Sequence, residues 1–142
     1  MAISPNGTDV YLVYNAYLQP FQTTTTSPRL MQGVTRHADV GAGGVLGSFT
    51  TLHRAMVGDA RGTTRTLNRE AIYDYQYAAA SRDYGVTVWM DVRNATNCPA
   101  VDAYRQSLIN GSPITAPSPL TDCPPGFGNE DIYSGSFPTP AP

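Results

Sequence analysis

The sequence predicts an all-β protein, and three observations carry that prediction. Of its 142 residues, 13 are Gly and 12 are Pro, together about one in six, which disfavours long helices. β-Branched and aromatic residues form short runs that are separated by turn-forming residues, as expected for strands. Hydrophobic residues make up 41% of the chain, which is enough to build a buried core.

Charge and hydropathy argue against several classes of function. The charged fraction is 14%, the net charge is -2, and the nine basic residues are all Arg, scattered without a run. A nucleic-acid-binding tract and a polybasic membrane anchor are therefore not indicated. No apolar stretch reaches the roughly 18 residues that span a bilayer. The first residues lack a basic and then apolar run, so we expect no signal peptide in this chain.

Strands are predicted first in the N-terminal part of the chain. Residues 10–14 form a β-branched and aromatic run after the turn at Asn6-Gly7. Residues 30–37 and 48–57 supply two further extended segments, with a polar, mobile loop predicted before the first of them. Residues 1–62 are therefore predicted to form a blade-like antiparallel meander.

A hairpin is predicted in the middle of the chain. Residues 71–80 and 86–93 flank residues 81–85, which contain an Asp and a Gly suited to a turn. If Ser81 lies opposite Val86, alternate cross-strand pairs fall on opposite faces. One face then carries the pairs Asp74 with Arg93, Gln76 with Asp91 and Ala78 with Trp89, and the other carries Tyr75 with Val92, Tyr77 with Met90 and Ala79 with Val88. The sequence thus predicts one charged face and one apolar, aromatic face.

The rest of the chain is predicted to hold little regular structure. Residues 101–108 are expected to form a short strand that completes a second blade-like unit, 63–111. Helix is expected for one turn at most, within residues 64–73. Eight prolines after residue 112 exclude a central strand, so residues 112–142 are predicted to be a Pro-rich tail that wraps over the surface.

Two cysteines, Cys98 and Cys123, are separated by a Pro-rich, polar stretch with no Cys-x-x-Cys spacing and no nearby His. A metal site is therefore not expected. A disulfide in an exported protein and two unpaired buried thiols in a cytosolic protein are the alternatives. The disulfide is favoured because closing this loop would stabilise a segment poor in regular structure by roughly 3 kcal/mol.

Several segments together resemble a known family. Residues 73–80, 83–85 and 88–94 resemble a blade of secreted bacterial proteins of the sialidase-like (neuraminidase-repeat) β-propeller class, in which an Asp-Tyr strand leads to a Trp-x-Asp-x-Arg strand. Residues 3–11 are similar to the opening of a blade, and residues 127–133 to a C-terminal finish. The Asp-box signature of the family is nearly present in residues 81–87, but Trp89 falls one place late.

The resemblance implies an extracellular bacterial protein and a partial β-propeller of two to three blades. A closed propeller needs at least about four blades, so open sheet edges would remain. The chain is therefore expected to associate with itself or with missing blades. The alternative is a small sandwich-like monomer in which the tail seals the edge.

The resemblance also implies a hydrolase site with three arginines, a Tyr nucleophile activated by a Glu, and an acid/base Asp. Glu70 with Tyr75 or Tyr77 is the candidate for the catalytic pair. The chain has two glutamates and its arginines show no spacing that aligns a triad. A non-catalytic binding or structural module is therefore favoured, and the C-terminal part of a sialidase-like glycoside hydrolase is the alternative.

The candidate ligand-binding residues are Asp74, Asp91, Arg93, Trp89 and Arg61. Each has a structural interpretation beside it, which is an ion network for the charged residues and core packing for the tryptophan. A glycan is a possible ligand. Nucleic acid and membrane partners are not expected, and neither is a cofactor. No metal role is expected for His37 or His53, which lie on separate predicted strands.

Overall fold

A computed structural model describes residues 1–69 and 75–139, which form two antiparallel β-sheets and one α-helix. The first sheet has the order β1 (Ala2–Ile3), β2 (Asp9–Tyr17), β3 (Leu30–Asp39) and β4 (Thr50–Arg54), and the short β5 (Gly58–Asp59) also pairs with β3. The meander predicted from the N-terminal part of the sequence is therefore present. Its central strands are stabilised by burial of Tyr11 and Val13 from β2 and of Met31 and Val34 from β3.

The second sheet has three strands in the order β6 (Tyr77–Ala80), β7 (Tyr84–Asp91) and β8 (Asp131–Pro138). Along β8 the residues alternate strictly between partly buried and exposed, so one face of this edge strand points into the molecule. Residues 112–142 were predicted to be a wrapping tail without a central strand. Eight of them form this edge strand, so the tail is more regular than expected. Pro138 is tolerated because it is the last residue of an edge strand.

The two sheets pack face to face as a β-sandwich, and glycines set how closely they approach. A Cβ on Gly33 of β3 would overlap the indole of Trp89 from β7, and one on Gly85 of β7 would overlap the ring of Tyr11 from β2. Between these contacts, the hydroxyl oxygens of Thr35 and Thr87 lie 2.7 Å apart in a buried hydrogen bond. Each sheet therefore accepts one aromatic ring from the other.

Neither sheet closes on itself in the part of the chain that the structure describes. The coarse prediction of antiparallel β-sheets is confirmed, and the described strands show no propeller. No helix among the described residues is long and apolar enough to cross a membrane.

The hairpin of β6 and β7 differs from its predicted register by two residues. Tyr77 pairs with Val88 and Ala78 with Thr87, where Met90 and Trp89 were expected. The reason is a tighter turn, in which Ser81 Oγ accepts hydrogen bonds from the backbone N–H groups of Asp83 and Tyr84. Gly85 is thus a strand residue that admits Tyr11, and it is not part of the turn. The predicted pair of Asp74 with Arg93 lies outside the described residues.

A shift of two residues keeps each side chain on its face, but the predicted charged face of β7 is the one that packs against the first sheet. Trp89 and Asp91 point into the molecule with 3% and 2% of their surface exposed, whereas Tyr77 is 63% exposed. The face that was described as charged is therefore the inner one. Its carboxylate is tolerated there because it is paired, as described below.

The strand predicted for residues 101–108 is wrong, because this segment is the α-helix α1 (Pro99–Ile109). Pro at the start of a helix costs no hydrogen bond, and Asp102 in the first turn complements the helix dipole. Val101 and Arg105 lie one turn apart on the buried side. The guanidinium of Arg105 donates hydrogen bonds to three backbone carbonyls of residues 61–66, which fixes the helix to that loop.

The disulfide between Cys98 and Cys123 is present and closes a loop with a sequence separation of 25 residues. Cys98 packs with Val101 and Phe127 in a small apolar cluster at the start of α1. The bridge therefore ties the Pro-rich segment after the helix back to the helix itself.

Replacing Gly85 with Ala should destabilise the protein by about 1–3 kcal/mol, because the added Cβ would overlap the ring of Tyr11 between the sheets. Gly33→Ala should behave similarly, since its Cβ would overlap Trp89. Urea unfolding followed by circular dichroism measures the change.

Gly41→Ala is the matched control for these substitutions. Its φ is -76° and its nearest contact would be an ordinary 3.7 Å, so its effect should stay within about 0.5 kcal/mol. Equal midpoints for Gly85→Ala and Gly41→Ala would contradict the proposed role of the close approach.

Candidate ligand-binding site

A pocket of about 330 Å³ opens between two edge strands, β4 of the first sheet and β8 of the second. Trp89, Tyr133 and Phe137 contribute its aromatic surface. Its polar groups come from His53, Arg54, Arg93 and Ser134. We call this site the aromatic pocket. Its position follows from the topology, because the inner face of the sandwich is accessible where the two sheets end.

The alternation of β8 places its aromatic residues in the pocket. Tyr133, Gly135 and Phe137 all point inward, and Tyr133 lies opposite Trp89 in the β7–β8 register. A Cβ on Gly135 would lie 2.5 Å from Cζ of Phe137, so glycine leaves room for that ring beside the pocket. Trp89 is 3% exposed and forms the floor, while the other rings provide the accessible surface.

His53 reaches the pocket from the opposite sheet. Its ring centroid lies 5.4 Å from that of Trp89 and 5.9 Å from that of Phe137, with both ring pairs tilted. His53 is thus the contact through which β4 meets the aromatic residues of the second sheet.

Asp91 holds Arg93 at the wall of the pocket. The Asp91 Oδ1 atom lies 2.7 Å from Nε of Arg93, and Oδ2 lies 2.6 Å from Nη2. Oδ2 also accepts a hydrogen bond of 3.2 Å from the indole N–H of Trp89. The guanidinium carbon of Arg93 lies 4.0 Å from the ring centroid of Tyr133, within range of a cation–π interaction. One buried carboxylate therefore orients both the arginine and the tryptophan.

The same contacts shift the pKa values of Asp91 and Arg93. Burial alone would raise the pKa of Asp91, but hydrogen bonds from the Arg93 side chain and backbone and from Trp89 outweigh it, and the pKa is lowered. The hydrogen bond to Asp91 raises the pKa of Arg93. Both groups are therefore charged at neutral pH, and the arginine is held as a cation.

The structure brings together three of the predicted ligand-binding residues, Trp89, Asp91 and Arg93. Asp91 acts on the other two and does not line the pocket itself. Asp74 and the candidate Glu70 lie outside the described residues.

Arg61 lies elsewhere, under α1, at 2.8 Å from Asp59 and 3.1 Å from Asp102. Burial would raise the pKa of Asp59, but hydrogen bonds led by the Arg61 side chain outweigh it and lower the pKa. Arg61 is therefore part of a structural ion network that connects α1 to the end of β5.

The tyrosines of the predicted catalytic pair lie away from the aromatic pocket. Tyr77 is on the outer face of β6 with 63% of its surface exposed, and Tyr75 is 58% exposed. Neither lines the pocket. A contact of Tyr75 or Tyr77 with Glu70 is not tested, because that glutamate lies outside the described residues.

Among the pocket residues that sequence reasoning missed are three with rings, His53, Tyr133 and Phe137. A signal for the last two was available in residues 133–137, where Tyr, Gly and Phe alternate with Ser, but the neighbouring prolines led us to predict a wrapping tail. No local signal marks His53, because its role depends on which strands pair.

Comparisons with models of protein families, with curated proteins and with solved structures found no significant match for this chain. The resemblance to sialidase-like propellers therefore stays a prediction.

Acid should destabilise the fold through Asp59 and Asp91. Because folding lowers both pKa values below the roughly 3.9 of an unfolded Asp, the unfolded state binds more protons as the pH falls. The stabilisation is complete above about pH 5 and is lost as the pH falls through the folded-state pKa values. Urea unfolding between pH 6 and pH 2 measures this dependence.

Asp91→Asn should make that pH profile shallower, whereas Asp83→Asn, in the exposed turn between β6 and β7, should leave it unchanged. A free energy of unfolding that stays constant from pH 6 to pH 2 would contradict the assignment.

Proposed function

We propose that the chain is a non-catalytic binding module that recognises a saccharide in the aromatic pocket. The observation that carries the proposal is the combination of accessible aromatic rings, Tyr133 and Phe137, with a guanidinium that Asp91 holds in place. A sugar ring has an apolar C–H face and a polar rim of hydroxyl groups. An aromatic surface beside fixed hydrogen-bond donors matches both features.

The geometry of Arg93 supports recognition of hydroxyl or carboxylate oxygens. Its Nε and Nη2 atoms donate to Asp91. Nη1 has no acceptor among the described residues, so it can donate to a ligand. Because the ion pair already orients the side chain, binding would cost little of its rotamer entropy. The pocket volume is near the lower end of the roughly 300–1,000 Å³ typical of small-molecule sites, which favours a short saccharide.

The composition of the pocket favours binding over hydrolysis. The sialidase-like alternative needs a Glu to activate a Tyr nucleophile and an Asp as acid/base. In the described part of the chain, no carboxylate lines the aromatic pocket, and the nearby Asp91 is committed to Arg93. The alternative of a sialidase-like hydrolase rests on Glu70 and on the family resemblance, and it stays a prediction.

Saccharide binding is testable through the single tryptophan of the chain, because Trp89 forms the floor of the pocket. A panel of neutral, N-acetylated and acidic mono- and oligosaccharides is titrated while Trp89 emission is recorded, and hits are confirmed by calorimetry. At least one sugar should bind with sub-millimolar affinity, and Tyr133→Ala should weaken it at least about tenfold, or about 1.4 kcal/mol.

Ser136→Ala is the matched control, since Ser136 is on the exposed face of the same strand. It should keep the affinity of the unmodified chain. Equal affinities for Tyr133→Ala and Ser136→Ala, or no binding to any sugar of the panel, would overturn the proposal. Turnover of a fluorogenic sialoside by the chain would instead support the hydrolase.

A second part of the proposal is self-association, for which the outer face of the β6–β8 sheet gives a specific reason. Its strand residues include no charged side chain, and Tyr77, Val86 and Ile132 are 63%, 40% and 66% exposed. A two-fold dimer would place this face against itself without opposing like charges. Partners from missing propeller blades, as the family resemblance implies, would use the same exposed strands.

Light scattering at micromolar concentration should give the mass of a dimer. Val86→Lys, which introduces a charge in the middle of this face, should shift the mass to that of a monomer. Ile109→Lys is the control, because Ile109 is 64% exposed on α1, away from the sheet. A monomer that is stable on dilution without any substitution would contradict self-association.

A further inference from the structure

A cluster of potential metal ligands lies at one end of the first sheet. The loop that connects β2 to β3 lies at the other end. In the β2–β3 register, Asp9 is opposite Asp39 and Tyr11 is opposite His37. Because side chains alternate along a strand, Asp9, His37 and Asp39 all lie on the same face of the sheet. Two distant segments of the sequence are thereby brought together.

From this arrangement we infer that Asp9, His37 and Asp39 form a binding site for a divalent transition-metal ion of the zinc class. One Asp9 oxygen and one Asp39 oxygen lie 2.9 and 3.9 Å from Nε2 of His37. One ligand atom from each residue lies within 4.8 Å of the others. Zinc with bonds of about 2.0–2.2 Å holds its ligands roughly 3.4 Å apart in a tetrahedron, so a small movement closes the site.

The side chain that has to move is the one with freedom to do so. The Asp39 side chain is 74% exposed, whereas those of His37 and Asp9 are 3% and 5% exposed. The two buried ligands are fixed and the third approaches from solvent. The same exposed side leaves a route for the ion and a fourth position for a water molecule.

Asp9 is oriented for this role by groups that do not ligate. Its Oδ2 atom accepts hydrogen bonds from Ser4 Oγ at 3.2 Å and from Thr8 Oγ1 at 2.6 Å. Oδ1 is therefore the oxygen that faces the imidazole. Such outer-shell hydrogen bonds fix ligands in many metal sites.

The charges of the cluster would favour a bound cation. Asp9 and Asp39 are direct cross-strand partners, and like charges in that position destabilise a sheet. A divalent ion between them removes this repulsion. A protonated His37 would remove part of it as well, and the experiment below distinguishes the two.

The donor set selects the class of ion. One imidazole nitrogen with two carboxylate oxygens suits zinc and its neighbours in the first transition series. Magnesium prefers an all-oxygen shell in a near-ideal octahedron. From the sequence we predicted no metal site, because each histidine was considered alone. The cluster forms only when β2 and β3 pair.

Calorimetric titration of the untagged chain with Zn²⁺ at pH 7 tests the site, with Mg²⁺ as the comparison ion. We expect one Zn²⁺ per chain with micromolar or tighter affinity, and binding of Mg²⁺ at least a hundredfold weaker. Asp39→Asn should weaken Zn²⁺ binding at least tenfold, and it should fold because the residue is exposed. Asp83→Asn removes the same charge from an exposed turn and should leave the affinity unchanged.

The chain has two histidines, so imidazole NMR signals identify the ligand directly. Addition of Zn²⁺ should shift the signals of His37 and leave those of His53 in place. If the Asp9–His37 pair is only an ion pair, Zn²⁺ will not bind, or Asp39→Asn will bind it as well as the unmodified chain does. Either result overturns the inference, as does a shift confined to His53.

Discussion

The reciprocal insertion of one aromatic ring from each sheet into the other is the constraint on which the rest of this structure depends. Tyr11 lies over Gly85 and Trp89 lies over Gly33, with the buried Thr35–Thr87 hydrogen bond between them. The two contacts fix both the separation and the lateral position of the sheets. Without them, β4 and β8 would not stand at the distance that leaves a pocket of about 330 Å³ between their edges.

The aromatic pocket in turn depends on a buried charge. Asp91 is nine-tenths buried, and it is stable there because Arg93 and the Trp89 N–H satisfy its oxygens. Removing Arg93 would leave an uncompensated carboxylate in the sandwich. The same interaction that stabilises the inner face of β7 therefore also positions the cation that faces the pocket.

The sequence was sufficient to predict those features that depend on residues close together in the chain. The strands of the first sheet follow from β-branched runs. Trp89 and Asp91 share one face of β7, and Arg93 follows two residues after the strand ends. It was insufficient where the outcome depends on distant segments. The register of β6 and β7 depends on hydrogen bonds of Ser81, and the place of Gly85 depends on Tyr11 from another sheet. Residues 101–108 became helical because Pro99 begins a helix there, which outweighed their strand-like pattern.

Because β8 lines the aromatic pocket, binding of a ligand there is coupled to the docking of the C-terminal strand on β7. This strand is separated from its partner β7 by α1 and the disulfide-closed loop, and among the described strands it pairs with β7 alone. Edge strands with such non-local pairing belong to the part of a protein that opens most readily. A ligand that contacts Tyr133 and Phe137 binds only when β8 is docked, so by linkage it shifts the population toward the docked state. Amide hydrogen exchange along β8 would thus become slower as more of the pocket is occupied by ligand. The exchange rates of β8 would therefore report ligand binding.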